Sequence, residues 1–530
     1  MLNFSVIFRY KNQLLREFRA YFFKNSFKKL GHELPLNAPT IKKRILIATS
    51  TSSNWPCSTF EILLAISLRL RGADVKVLVC DGVLQACQEC DINWLDEKEF
   101  ILNGPKKKLC GSCYPPFIDM LEKLGIPYLK YSDYLGYPIK NDLKLDVSEH
   151  VNAGILRYYA RGKLLKSSEF DAIKKRFKSA ALLTQSVIQN MLNHEHFDVA
   201  VFHHGVYVPQ GVIGDCLRKR DIRIANWGIS YRKGTVIFSH KDTYHHTMID
   251  EPVETWNSIK WTPEKEAMLD GYLRSRLNGS NDWIGFQKGF ESNKEKIIQN
   301  LQLNLNLPIV GLLTNVMWDA QLHFKKSAFP SMLDWIFFTI DYFSKHPEIQ
   351  LVIRIHPAEL SGSVPSRQPV YEEILKHYST LPDNIFIVKP DDKISTYALM
   401  DMASSILVFA TKAALELACM GKFVVVAGEA WSRGKGFTHD VYNESEYINI
   451  LKKITRNKDL SKAKKILAKK YAYHLFFRRM IPIKTLKPIR NFGPYKVNVK
   501  NYKQLLPGAD LGLDTICDGI LNGSEFIYPI

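Results

Sequence analysis

From Arg44 onward the chain alternates short apolar runs with longer amphipathic stretches. Arg44-Ile-Leu-Ile-Ala-Thr49 and Asp74–Cys80 (DVKVLVC) read as buried β-strands, separated by a polar loop and a helical period over Ser58–Arg71. Strand, loop, helix and strand in that order make a βαβ unit and hence a parallel sheet. A long helical stretch over about 168–193 follows, and then the strand Asp198–Phe202, which runs into His203-His204-Gly205. A second series begins near Pro308. Strands are predicted at Ile309–Thr314, Gln350–Ile355, Asn384–Val388, Ser405–Phe409 and Lys422–Ala427, with helices at Met332–Phe343, Ser395–Met402 and Lys412–Met420.

Two such series predict an α/β protein with two Rossmann-like, doubly wound domains. The expected divisions are a basic N-terminal extension over 1–43 and a first domain over 44–261 that carries a Cys-rich insertion at 80–113. A polar connection over 262–306, a second domain over 307–450 and a basic helical segment over 451–530 complete the chain. Ligands of such sheets gather outside the carboxyl ends of the strands, so the loops there are the places to look for chemistry.

Composition changes the picture in one respect. Of 530 residues, 46% are hydrophobic and 24% charged, as in an ordinary globular protein, and 72 Lys+Arg against 53 Asp+Glu leave +19. That excess points to anionic partners, but it is not spread evenly. Met1–Arg44 carries +8 and Lys452–Lys503 carries +16, which leaves the remaining chain at −5. The body is slightly acidic, with two basic ends. Asn3–Leu30 and Lys462–Arg479 have the pattern of basic amphipathic helices, for which an anionic membrane surface is one partner. Packing back against the protein, with the Lys face solvated, is the other reading. No nucleic acid is expected, since no reading module accompanies the charge. With no secretory signal, no uninterrupted apolar span and few cysteines, the expectation is a cytoplasmic protein, with peripheral contact at the inner membrane face as an option.

The most informative segment runs from Val408 to Val426. A strand ends at Ala410 and a helix opens at Thr411, whose hydroxyl can cap it. The N–H groups at Thr411–Ala413 and the charge of Lys412 would hold a phosphate, and Glu416 could accept from ribose hydroxyls. The alternative is a simple cap followed by an exposed helix residue. Arg354 and His356, two apart at a strand end, would neutralise a diphosphate or a sugar acid; otherwise Arg354 pairs with a structural carboxylate. Gly428–Phe437 supplies three glycines with Arg433 and Lys435, a loop suited to folding over a ligand.

Arg354-Ile-His-Pro357, then a strand-terminal Thr411 opening a helix with Glu416 inside and Gly421 at its end, resembles the capsular polysaccharide biosynthesis glycosyltransferases. The resemblance covers roughly Arg44 to Glu446. It implies a GT-B-like architecture, with two domains facing across a cleft. It also implies donor binding by Arg354, His356, Thr411, Lys412 and Glu416, with a glycan acceptor held by the first domain. The family's small-residue turn reads Ala410-Thr411-Lys412 here, with a bulky Lys. The same architecture resembles nucleotide-sugar epimerases and glycerophosphotransferases. A non-catalytic nucleic-acid-binding or scaffold protein is the remaining alternative.

Sugar transfer needs a base for the acceptor hydroxyl or stabilisation of the departing diphosphate. His203 or His204 is the expected base or substrate contact, and Asp319 is a further candidate. No Asp-x-Asp motif occurs, which favours transfer without a catalytic metal. Separately, Cys87-x2-Cys90 and Cys110-x2-Cys113 have the spacing of a tetrahedral structural zinc site, with buried thiols or an iron–sulfur cluster as alternatives.

Overall fold

The computed structural model describes residues 21–137, 144–277, 280–282, 289–320, 325–454, 459–488 and 495–530, except 22, 24, 26, 28–29, 31–33, 36–38 and 363. Chain contacts divide it into two compact units. The first takes the chain up to Tyr159, Lys163–Thr247 and Phe477–Ile530; the second takes Ala160–Gly162 and Met248–Phe476.

In the first unit β1 (Arg44–Ser50), β2 (Asp74–Val79), β3 (Tyr128–Lys130), β4 (Val199–His203) and β5 (Arg223–Ile229) are parallel, in the order β3-β2-β1-β4-β5. β6 (Thr235–His240) closes this edge antiparallel to β5. After Arg44 every residue of β1 is buried, as expected of a strand covered on both faces. The helices α1 (Trp55–Leu70), α2 (Ser168–His194) and α3 (Gln210–Lys219) supply the layers. The core joins Leu46, Leu78, Phe177, Ile188 and Phe202 with their neighbours.

The second unit holds six parallel strands, β7 (Ile309–Leu313), β8 (Gln350–Arg354), β9 (Ile385–Val388), β10 (Ser405–Val408), β11 (Phe423–Val426) and β12 (His439–Asp440), in the order β12-β11-β10-β7-β8-β9. Around them lie α4 (Pro263–Leu277), α5 (Met332–Ser344), α6 (Ala413–Met420) and α7 (Lys462–Tyr473). Gly421 ends α6 at φ 98°, a left-handed conformation that a side chain would strain. The segment 262–306, read as a connection, lies in this unit and carries α4 and a further helix at Lys294–Leu301.

In each unit the first strand lies inside the sheet, with its second and third strands on one side and its fourth and fifth on the other. The order reverses between β1 and β4 and again between β7 and β10. Loops leaving the two strands at such a reversal diverge and open a crevice at their carboxyl ends.

The basic C-terminal stretch is an amphipathic helix packed back on the protein, against the second unit. In α7, Ala468, Tyr471 and Ala472 are fully buried, and Lys469 reaches Glu266 at 2.5 Å and Asp270 at 3.1 Å. The apolar face is therefore spent inside the second unit and is not available to a membrane surface. From Phe477 the chain rejoins the first unit, where β13 (Met480–Pro482) pairs antiparallel with β6 and Arg223 donates to the Gly519 carbonyl at 2.9 Å. Of the N-terminal stretch, residues 1–20 lie outside the described residues; Phe23 is buried and packs on Trp55 at 4.7 Å. No described helix is long and apolar enough to cross a membrane.

Candidate functional site

The reversal of the second sheet gathers Thr314 and Asn315 after β7, His356 after β8, and Thr411 and Lys412 after β10. Side-chain bonds tie these loops together. The Thr314 hydroxyl accepts from the His356 N–H at 3.0 Å, and Asn315 Oδ1 accepts from the Ala410 N–H at 3.4 Å across the reversal. His356 Nδ1 accepts from the Ala358 N–H at 3.0 Å. Burial, reinforced by Arg354 and Lys412, lowers its pKa to about 4, so the ring is neutral at pH 7 and its proton sits on Nε2. His356 thus stands neutral at the carboxyl end of β8, oriented through its N–H and its Nδ1. The Thr411 hydroxyl accepts from the Ala413 N–H at 3.3 Å, filling one of the first-turn positions of α6.

The remaining cations expected to meet a ligand are engaged within the protein. Arg354 is 1% exposed; its guanidinium donates to the carbonyls of Lys389 and Asp392 and to the Thr396 hydroxyl, and lies 5.7 Å from the Phe290 ring centre. Its acceptors are two carbonyls and a hydroxyl, not the structural carboxylate weighed from sequence. Arg433 donates to the carbonyls of Gly428 and Val441 and stacks on Tyr442 at 4.1 Å. Lys435 donates to the carbonyls of Ile249 and Glu251 at 2.7 and 2.6 Å, and burial brings its pKa down to about 8. The 428–437 loop is consequently packed by its own cations, because buried carbonyls need donors; the expectation of a loose ligand cover is corrected.

Glu416 is 3% exposed, so it is neither an exposed helix residue nor an open ribose acceptor. Its Oε1 lies 2.9 Å from Lys412 Nζ and 3.1 Å from Arg276 Nε, and Oε2 accepts from the Tyr397 hydroxyl. Arg276 pairs in turn with Asp282, which accepts from Tyr272 at 2.6 Å. Burial by itself raises the Glu416 pKa, but Arg276 and Lys412 outweigh it and hold the carboxylate at about 2. Two cations and two anions make this buried cluster neutral, with the Lys412 ammonium turned inward onto Glu416. Asp319 lies exposed after the buried Trp318, which packs with Ala160 and Val364.

The reversal of the first sheet is just as polar. The Thr49 hydroxyl, near the end of β1, accepts from the His203 N–H at 2.9 Å and donates to Glu61 Oε1. Gln210 Nε2 reaches the Thr49 carbonyl at 3.1 Å and the Thr51 hydroxyl at 2.7 Å, joining the loops that leave β1 and β4. His203 is 8% exposed and packs edge-on against Trp227 at 4.9 Å; its Nδ1 is buried with no hydrogen-bond partner, and burial lowers its pKa to about 4. His204 follows at φ 64°, its ring 5.0 Å from Tyr207 and 5.2 Å from His245. Gly205 at φ 84° completes the turn, where a Cβ would stand 2.9 Å from Asn226 Nδ2.

Glu61, Thr49 and Gln210 were not singled out from sequence. One signal could have found Glu61: it is the only acid in the otherwise apolar run Trp55–Leu70. Arg276, Asp282 and Tyr397 carried no such signal, because they stand in polar or mixed stretches far from Glu416 in the chain.

The cysteines depart from the zinc expectation. Both Cys-x2-Cys pairs form tight turns, with the Cys90 N–H on the Cys87 carbonyl and the Cys113 N–H on the Cys110 carbonyl, each at 3.0 Å. Among the described residues, however, no three His, Cys, Asp or Glu side chains gather into a group that could hold a metal ion. The sulfurs have protein partners instead. Cys87 hydrogen-bonds with Cys90, while the Cys113 sulfur lies beside the Ser52 N–H and the Ser53 hydroxyl, which donates to Glu89 at 2.8 Å. Burial pushes the Cys80 and Cys113 thiols up to about 12, as in packed, unreactive thiols.

No protein-family model matches the sequence, and no curated protein matches it at a significant level. Solved structures with partial likeness include the beta Kdo 2,4 transferase KpsC of Thermosulfurimonas dismutans, at 12% identity over 52% of this chain and 79% of that one, TM-score 0.35. The UDP-GlcNAc 2-epimerase of Neisseria meningitidis, solved with UDP-GlcNAc, is 12% identical over 81% and 98%, TM-score 0.27. A glycosyl transferase family 9 protein of Veillonella parvula is 11% identical over 82% and 99%, TM-score 0.21. Likenesses this slight carry no conclusion about this chain, whose function is argued from its own residues.

Proposed function

We propose that the protein is a GT-B-like glycosyltransferase that moves a sugar from a nucleotide-activated donor to a surface-glycan acceptor, of capsular or lipopolysaccharide type. The donor belongs to the second unit and the acceptor to the first. What supports this reading most is the polar lining of both sheet reversals, each tied across by a side-chain bond, Asn315 to Ala410 and Gln210 to Thr49. A crevice at a reversal is where doubly wound sheets hold nucleotides. In the second unit the diphosphate would meet the Nε2–H of neutral His356, the Thr411 hydroxyl and the first N–H groups of α6. Glu416 would accept from a ribose by exchanging Arg276 or Tyr397 for it.

In the first unit His203 would take the proton of the acceptor hydroxyl. A neutral imidazole with an unpartnered buried nitrogen has a lone pair or a proton to offer, and a buried nitrogen of this kind calls for a hydrogen-bond partner. The test is a panel of nucleotide-sugars, read by nucleotide release and by product analysis with a glycan acceptor. Release of a nucleoside phosphate together with an elongated glycan supports transfer. A rearranged nucleotide-sugar without elongation would instead mean epimerisation.

A further inference from the structure

Glu61 is a buried acid on an apolar helix, and none of the chemistry assigned above uses it. Its Oε1 accepts two hydrogen bonds, from the Thr49 hydroxyl and from Trp227 Nε1 at 3.0 Å. Each of those donors has a second contact, and both contacts are with His203. The Thr49 hydroxyl accepts the His203 backbone N–H at 2.9 Å, and the Trp227 ring stands edge-on to the His203 imidazole with centres 4.9 Å apart. One carboxyl oxygen therefore fixes His203 twice, holding its main chain through the threonine and its ring plane through the tryptophan.

The surroundings explain why such a device is needed. His203 is the last residue of β4, and the next two residues turn through left-handed conformations at φ 64° and 84°. The β4–β5 ladder runs on only as far as the His204 N–H, which reaches the Trp227 carbonyl at 2.8 Å, so Trp227 is also the main-chain neighbour of His203. The imidazole itself makes no hydrogen bond through Nδ1. Its direction is left to ring packing on Trp227 and to a backbone held by the β4–β5 ladder and by Thr49, and the Trp227 and Thr49 side chains both bond to Glu61. An oxygen accepting from two donors also fixes those donors relative to each other, so Thr49 and Trp227 move as one.

We infer that Glu61 is a positioning residue for the first unit's site, aligning His203 through Thr49 and Trp227 for a ligand hydroxyl. The inference rests on the acceptor assignment proposed above for the chemistry it serves, but not for the coupling itself. The group aligned is an imidazole at a crevice, so the ligand class is one that offers a hydroxyl, as a sugar does.

The experiment uses the full chain labelled with 13C at histidine Cε1, and its His203 signal is identified among the fifteen histidines by its absence in His203→Gln. Glu61→Ala removes both bonds and should shift or split the His203 signal while leaving histidines of the second unit in place. Glu61→Gln keeps an accepting oxygen and should restore a single signal near the wild-type position. Where Glu61→Ala does not fold, Thr49→Val and Trp227→Phe each remove one of the two bonds to Glu61, Thr49→Val also removing the acceptor of the His203 N–H, and each should move the His203 signal part of the way. With a working donor and acceptor, Glu61→Ala should lower kcat about tenfold or more with little change in KM, and Glu61→Gln should recover most of it. An unchanged His203 signal in Glu61→Ala, or in both single-bond variants, overturns the inference. If no sugar is transferred by the wild type, the proposed function fails, while the spectrum still decides whether Glu61 positions His203.

Discussion

Lys412 Nζ stands 2.9 Å from Glu416 Oε1, one helical turn away, and the same oxygen lies 3.1 Å from Arg276. One buried carboxylate thus pairs with two cations from stretches far apart in sequence, and Asp282 supplies the second negative charge. Removing it leaves Arg276 and Lys412 facing each other with only Asp282 to balance them. Glu416→Gln should destabilise the second unit by roughly 3–5 kcal/mol, read as a fall in its denaturant midpoint. The pH dependence has a definite sign. The folded pKa, about 2, lies below the ordinary 4.5, so this stabilisation is complete above pH 4.5 and is lost as pH falls towards 2. Glu416→Gln should flatten that part of the wild-type curve.

Glu61 has the opposite sign. Burial, only partly offset by its bonds to Thr49 and Trp227, raises its pKa from 4.5 to about 7. Between those values the folded protein keeps a proton that the unfolded chain has released. Stability should decline as pH rises from 4.5 to 7 and level off above, by about 3 kcal/mol at most for this group. Glu359 is raised to about 7 by burial as well, so the wild-type curve contains both contributions. Glu61→Gln should remove its share of the slope, and an unaltered slope in that variant would contradict a buried, proton-holding Glu61.

Arg354 separates a structural role from a ligand-binding one. Lysine cannot bridge two carbonyls in the manner of a guanidinium fork, so Arg354→Lys should lose about 2–4 kcal/mol of stability in the second unit. A direct ligand contact would give another pattern, with weaker donor binding and an unchanged denaturant midpoint.

His203 makes a prediction about rate. Because burial sets its pKa at about 4, turnover that depends on the neutral imidazole should hold steady on acidification past the ordinary value of 6.5 and fall only towards pH 4. A fall centred near 6.5 would point to an ordinary, solvated histidine as the base, and His203→Gln should then have little effect.

The architecture was legible because it rests on periodicity. Unbroken apolar runs such as Ile45–Ala48 and Val424–Val426 can only be strands covered on both faces, and helices between them force parallel pairing. The reversals that locate the crevices follow from that order. The roles of the charges were less legible. Arg354, Arg433 and Lys435 read as ligand cations because a sequence displays a charge but not its partner. For Arg354 the carbonyl acceptors lie 35 and 38 residues further on. The partners of Glu416 were hidden for the same reason, since Arg276 and Tyr397 belong to stretches with no motif. The cysteine spacing read as a shared metal site or as buried thiols; both pairs fold into tight turns, and the sulfurs are packed as buried thiols.

The proposed donor site is the crevice between β7 and β10. Calorimetric titration of the intact protein with a panel of nucleotide-sugars, repeated for His356→Ala, tests it most directly. One nucleotide-sugar should bind, and loss of the Nε2–H donor should weaken it about 10–100-fold, with the denaturant midpoint of the second unit unmoved. Binding of no nucleotide-sugar, or equal binding by wild type and His356→Ala, would contradict a donor site at this reversal.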